Sequence, residues 1–321
     1  MSPVSTTGSV IVTGGHGGIG RQCTRALLEG GAHVVVGSRD VLRARAALEE
    51  LPSGASEVRG LDLASLASVR SFAAELARTV AERPPLRGVV CNAGVQLTRP
   101  DERTTDGFER TFGTNHLGHY LLIHLLVPQL VTPARIAVVS SGTHDPRQRT
   151  GVPVPRWRGA RGLAEPDRDA LRDEGPLRAG QRAYSTSKLC NALCTYALHE
   201  RLVRERPGVS VNAYDPGLVP GTGLARDYPP VLRFLWLHLG PALVPLLRRF
   251  MHAQTGRDAG AALARLVLDP GLEGVSGRYF AGLEEIRSSE ESYDRAKQEE
   301  LFIESAALVS LAPDEAAVSV R

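Results

Sequence analysis

Lysine is nearly absent from this chain. Of its 38 Lys and Arg residues, only Lys188 and Lys297 are lysine. The net charge is +3 and the arginines are scattered, with no basic block and no interleaved aromatic stripe, which argues against a nucleic-acid partner. Cysteine is scarce too. Cys23, Cys91, Cys190 and Cys194 show no Cys-x-x-Cys spacing and no disulfide-framework density, which fits free thiols in a reducing, cytoplasmic setting. Residues Met1 to Val10 are polar and run into a strand, so no signal peptide is expected. The longest apolar stretch, Val231 to Leu247, is broken by Arg233, His238, Pro241 and Pro245 and falls short of a transmembrane segment. A pocket lid, a buried helix pair and a weak peripheral membrane contact remain open for it. No internal repeat is visible.

Against that background Lys188 stands out. It follows Tyr184 by four residues in Ala183-Tyr184-Ser185-Thr186-Ser187-Lys188, and residues at that spacing share a helix face. An ammonium beside a phenol favours phenolate, tuning the phenol to exchange protons with an alcohol or carbonyl. Arginine would bring charge as a rigid fork, whereas a compact ammonium also reaches ribose hydroxyls. The competing reading is a surface tyrosine with an incidental lysine.

Short β-branched runs alternate with amphipathic stretches, as in a parallel sheet with helices on both faces. Strands are predicted at 9–13, 33–37, 58–60, 88–92, 136–140, 210–214 and near 278–280. Helices are predicted at 18–29, 41–51, 66–83, 106–128, 183–206 and 258–268. The expected fold is a single-domain, doubly wound α/β sheet of about seven parallel strands over residues 1–321, with its ligand crevice at the carboxyl ends of the strands. Residues 143–182 read as an insertion and 225–254 as a substrate lid. Ser288-Ser289-Glu290-Glu291 offers an N-cap for a C-terminal helix within 288–311. Ala312 onward reads as a frayed tail.

Thr13-Gly14-Gly15-His16-Gly17-Gly18-Ile19-Gly20 follows the first predicted strand and opens a helix. Such glycines let the backbone turn tightly and approach a pyrophosphate, whose charge meets the helix N-terminus. The second strand ends in Ser38-Arg39-Asp40. An acid at that tip would bind a ribose and repel a 2′-phosphate, whereas Arg39 would pair with the phosphate. We read NADP, with Asp40 as the rival: it could swing inward or pair with Arg39. Asp62-Leu63, after the third strand, would sit near the adenine, although Asp62 also reads as an N-cap.

With these residues in hand, the chain resembles the short-chain dehydrogenase/reductase family from about Ser9 to Phe280. The glycine string matches at Thr13, Gly14, Gly18 and Gly20, and the Asn-Ala-Gly signature at Asn92-Ala93-Gly94. The resemblance implies a Rossmann-type fold with an active-site Asn at Asn115, Ser at Ser141, Tyr at Tyr184 and Lys at Lys188. Ser140 is the fallback for the serine. The chain is most similar to the retinol dehydrogenase and protochlorophyllide reductase branches, on Leu61-Asp62-Leu63-Ala64-Ser65-Leu66, Val90-Cys91-Asn92-Ala93-Gly94, Gly113-Thr114-Asn115-His116-Leu117-Gly118-His119-Tyr120 and Ser187-Lys188-Leu189-Cys190-Asn191. Cys190 matches a cysteine of the latter branch, and a packed thiol is the competing reading. Relatives carry a threonine soon after Pro-Gly to touch the nicotinamide carboxamide. Here Pro216-Gly217-Leu218-Val219-Pro220 is followed by Gly221 and then Thr222.

The implied activity is NADP-dependent hydride transfer at a carbonyl or alcohol of a small hydrophobic molecule. Tyr184 is the acid/base, Ser141 binds the same oxygen, Lys188 poises the phenol and Asn115 supports a water. Val231, Leu232, Phe234, Leu235 and Trp236 suggest an apolar substrate pocket. Two alternatives are a light-dependent protochlorophyllide-type double-bond reductase and a non-enzymatic nucleotide-sensing module. A homodimer and a monomer both fit the long helices.

Overall fold

The computed structural model describes residues 8–98, 101–165, 175–222, 234, 236, 240–247 and 252–320. Its centre is an eight-stranded sheet in the order β3-β2-β1-β4-β5-β6-β7-β8. The strands are β1 Ser9–Thr13, β2 His33–Ser38, β3 Ser56–Gly60, β4 Leu86–Cys91, β5 Ala134–Val139, β6 Val209–Asp215, β7 Tyr279–Ala281 and β8 Glu284–Glu285. The first seven run parallel, as expected, and the short β8 adds an antiparallel edge on β7.

Burial on both faces explains why β1 and β2 read as near-continuous apolar runs. Ile11 and Val35 point into one core, whereas Val10, Val12, Val34 and Val36 point into the other. Helices α1 Gly18–Glu29, α2 Val41–Glu49 and α8 Gly256–Leu268 cover the second face. The first is covered by α3 Leu66–Arg78, α4 Gly118–Leu126, the 30-residue α6 Pro176–Glu205 and α9 Arg295–Leu308. Two further helices, α5 Gly159–Ala164 and α7 Gly240–Leu247, lie in the predicted insertion and lid. Strand order reverses between β1 and β4, which opens a crevice at their carboxyl ends.

Several boundaries differ from expectation for physical reasons. The helix predicted from residue 106 starts at Arg110, because the buried Glu109 carboxylate accepts from Thr111 N and Phe112 N, while Asp106 is spent on Leu66 N. A π turn, Gly113–Leu117, then precedes α4. The helix that carries Tyr184 and Lys188 begins at Pro176, where a proline at the first turn costs no hydrogen bond, rather than at 183. Helix α9 is capped by Asp294, which accepts from Ala296 N and Lys297 N, and not by Ser288 or Ser289. Nor is the tail frayed. Arg70 pairs with Glu315 at 2.7 Å, Ala317 N donates to His124 Nδ1, and Ala317 and Val318 are buried.

Candidate active site

One cavity of about 1730 Å³ occupies the crevice. It is lined by His16, Gly17, Gly18 and Ile19 from the glycine turn, Ser38 and Arg39 after β2, and Asp62 and Leu63 after β3. Asn92, Ala93 and Gly94 follow from β4, then Ser141 after β5, Tyr184 and Lys188 from α6, and Pro216, Gly217, Val219 and Thr222 after β6. Gly14 lines it as well. Of the predicted site residues, Thr13, Gly20 and Asn115 lie just behind this wall.

The glycine turn is built for close approach. Gly14 and Gly18 have φ of +64° and +51°, a region that side chains resist. A Cβ on Gly20 would meet Gly14 O at 2.5 Å, whereas one on Gly17 would meet nothing within 4 Å. Gly17 caps α1 without a side-chain bond, so the first amides of that helix are open to an anion. Thr13 ties the turn to β4, its Oγ1 accepting from Asn92 N and Ala93 N at 2.9 Å each. This geometry fits a dinucleotide.

At the tip of β2, Asp40 caps α2 by accepting from Arg43 N at 3.0 Å, and Ser38 Oγ accepts from Asp40 N. Arg39 is exposed on the cavity wall, and Arg43, which sequence reasoning missed, joins it there. Its signal was the four-residue spacing from Arg39 on the first turn of α2. His16 is pulled below the ordinary histidine range by burial and then by Arg43, and its Nδ1 is buried without a partner. Asp62 Oδ1 accepts from Ala64 N; Ser65, not Asp62, caps α3.

On the opposite wall, Lys188 Nζ lies 5.4 Å from the Tyr184 ring centroid and donates to Val139 O at 2.9 Å. Burial pulls the lysine down to about 8, opposed by Asp215. Ser141 lines the cavity and accepts from Thr143 N, whereas Ser140 is turned away, donating to Lys188 O at 2.8 Å. Asn115 is fully committed to the protein: Oδ1 accepts from Val95 N, and Nδ2 donates to Val95 O and Ser187 Oγ. Cys190 packs in the core, away from the cavity, and burial pushes its thiol well up.

Thr222 Oγ1 donates to Val219 O, and its Cβ lies 3.6 Å from where a Cβ on Gly18 would stand, so it faces the glycine turn. Gly221 has φ of +83°, which suits glycine and explains the missing threonine there. Trp236 clasps this loop: Nε1 donates to Thr222 O at 3.1 Å, and its carbonyl accepts from Gly221 N at 3.0 Å. Phe234 is exposed, and Val231, Leu232 and Leu235 lie outside the described residues.

The profile of the short chain dehydrogenase family matches residues 9–151. Protochlorophyllide reductase A, chloroplastic, of Oryza sativa subsp. japonica is 34% identical over 328 residues, which cover 95% of this chain and 81% of the relative. The chain belongs to the short-chain dehydrogenase family. Protochlorophyllide reductase, chloroplastic, of Daucus carota is likewise 34% identical, with 95% of this chain and 79% of the relative covered. Among solved structures, an uncharacterized protein from Mycobacterium Paratuberculosis superposes with a TM-score of 0.67 at 27% identity, covering 94% of this chain and 93% of that one. A protein from Pseudomonas syringae described as a short chain dehydrogenase gives 0.58 at 21% identity, covering 86% and 94%, and shares the fold. As a member of this family the chain is an oxidoreductase with a Rossmann fold that uses a nicotinamide cofactor. No described helix is long and apolar enough to cross a membrane.

Proposed function

We propose that this short-chain dehydrogenase uses NADP and transfers a hydride to or from the carbonyl or alcohol carbon of a hydrophobic small molecule. The reading rests on one observation: Tyr184, Lys188 and Ser141 line the same cavity as the glycine turn. When bound, the nicotinamide supplies the hydride. The residues that would hold the dinucleotide are the glycine turn for its pyrophosphate, Asp62 and Leu63 for the adenine end, and Asn92 to Gly94 with Pro216 to Thr222 for the nicotinamide half. Preference for NADP rests on Arg39 and Arg43, two exposed guanidinium groups on the cavity wall suited to a phosphate, which together outweigh the single Asp40 carboxylate beside them.

In the reductive direction Tyr184 donates its phenolic proton to the substrate oxygen, and the Ser141 hydroxyl donates a hydrogen bond to the same atom. Lys188 holds positive charge beside the phenol and so favours the phenolate left behind. Asn115 clamps the 95 loop against α6 through Ser187, which keeps the wall beside Lys188 in place. The cavity exceeds the usual range of about 300–1,000 Å³ for a single ligand, leaving room for a bulky substrate. Val152, Leu218, Trp236 and Ile286 add apolar lining to the cavity. Val152 and Trp236, from the insertion and the lid predicted at 143–182 and 225–254, would then flank the substrate. The test is NADPH oxidation with a panel of hydrophobic aldehydes and ketones, in wild type and Tyr184→Phe.

A second reading is reduction of a tetrapyrrole double bond, favoured by the name borne by relatives that match 95% of the chain. Absorbance of the protein with NADPH and protochlorophyllide, before and after illumination, separates the two.

A further inference from the structure

Two opposite charges are buried at the floor of this cavity without a salt bridge between them. Lys188 is 3% exposed and Asp215 1%, and both line the cavity. Asp215 Oδ1 accepts from Gly217 N at 2.8 Å, but Oδ2 is buried with no hydrogen-bond partner. Sheet register brings the two together: Val139, whose carbonyl takes the Lys188 bond, is paired with Tyr214, the residue before Asp215. An uncompensated carboxylate in such a place is costly, and a buried ammonium equally so. We propose that Asp215 is the counter-charge of Lys188 and a positioning residue of this site, holding the lysine as an ammonium so that it can act on Tyr184.

Among the described residues, the charged and titratable groups around the pair are otherwise neutral or paired elsewhere. Facing Lys188 are Tyr184 on its own helix and His119 on α4, which burial holds down at about 4 and therefore neutral. Near Asp215 are His144 after β5, Tyr279 on β7 and, on the opposite face of β6, Tyr214. Burial pulls His144 down and pushes both tyrosines up, so all three are neutral near pH 7. Farther out, Asp145 is paired with Arg147 and Glu291 with Lys297. Asp215 is also the group that opposes the fall of Lys188.

The pairing stands apart from the hydride-transfer reading, while its effect on Tyr184 rests on that reading. With two lysines in the chain, ¹³Cε-lysine labelling gives two resonances, and Lys297→Arg assigns them. In the apoprotein, Asp215→Asn should lower the Lys188 titration midpoint by about one pH unit or more, and Asp215→Glu should restore it to within about half a unit. A midpoint unchanged in Asp215→Asn overturns the proposal. If that variant does not fold, ¹³Cγ-aspartate labelling of the wild type carries the test. A carboxylate resonance that steps at the Lys188 midpoint supports the pair, and the lack of any such step overturns it. Because no substrate enters either titration, a protein that titrates as proposed yet reduces no carbonyl would keep the pair and remove the hydride-transfer reading.

Discussion

Asp40 and Arg43 are joined across the first turn of α2, the Arg43 backbone N–H donating to Asp40 Oδ1 at 3.0 Å. The bond engages one oxygen of a carboxylate that itself lines the cavity, beside the Arg39 and Arg43 side chains.

Arg39→Ala and Arg43→Ala should therefore each raise KM for NADPH by roughly tenfold or more, the loss of a charge-assisted bond, while leaving KM for NADH near its starting value. Asp40→Ala should lower stability by about 1 kcal/mol through the lost cap without reversing the cofactor order. Steady-state kinetics with both cofactors decides; equal effects on NADPH and NADH would remove the phosphate role.

Tyr184→Phe removes the hydroxyl proposed as proton donor. Its kcat should fall by about 10²- to 10⁴-fold, with NADPH affinity retained in a direct binding titration. Near-normal kcat would end the assignment.

Lys188, drawn down to about 8 by burial, is an ammonium below that pH and loses its proton above it. Because kcat/KM reports groups of the free enzyme, it should decline as pH rises through about 8. A plateau extending well into the alkaline range would show that the ammonium is not needed.

His116, His119 and His124 are buried and held down at about 3, 4 and 4. Their unfolded values are ordinary, so between about pH 6.5 and 4 the unfolded chain binds more protons, and stability falls as pH falls. Each histidine contributes about 1.4 kcal/mol per pH unit once below its unfolded pKa. Urea midpoints should drop between pH 7 and 5, and a flat profile would contradict the burial of these rings.

Gly180 lies against the Leu97 backbone carbonyl, which a Cβ would overlap. Gly180→Ala should cost about 1–3 kcal/mol by overpacking and push α6 off the 95–98 loop, lowering thermal stability and activity together.

Much of this was legible in the chain because the signals are local. β1 and α1 fall where the β-branched run and the glycine turn place them. The edge strand β3, Ser-Glu-Val-Arg-Gly, is half polar and was seen only in part, and β8 is two exposed glutamates that pair because β7 is beside them. The start of the helix near 110 depends on a buried capping carboxylate, and the order of the tail depends on Arg70, far away in sequence. Neither leaves a periodic trace. Among site residues, Asp215 before Pro-Gly looks like an ordinary turn acid. Its importance comes from register with β5, which sequence does not display.

The clasp of Trp236 on Thr222 puts one of the chain's two indoles on the wall of the cofactor cavity. The other, Trp157, packs against the core beside Lys297. Emission excited in the indole band thus carries a built-in optical gauge of occupancy: reduced dinucleotide entering the crevice should quench the fraction from Trp236 and leave that of Trp157, so affinities can be measured with no dye attached and before any substrate is known.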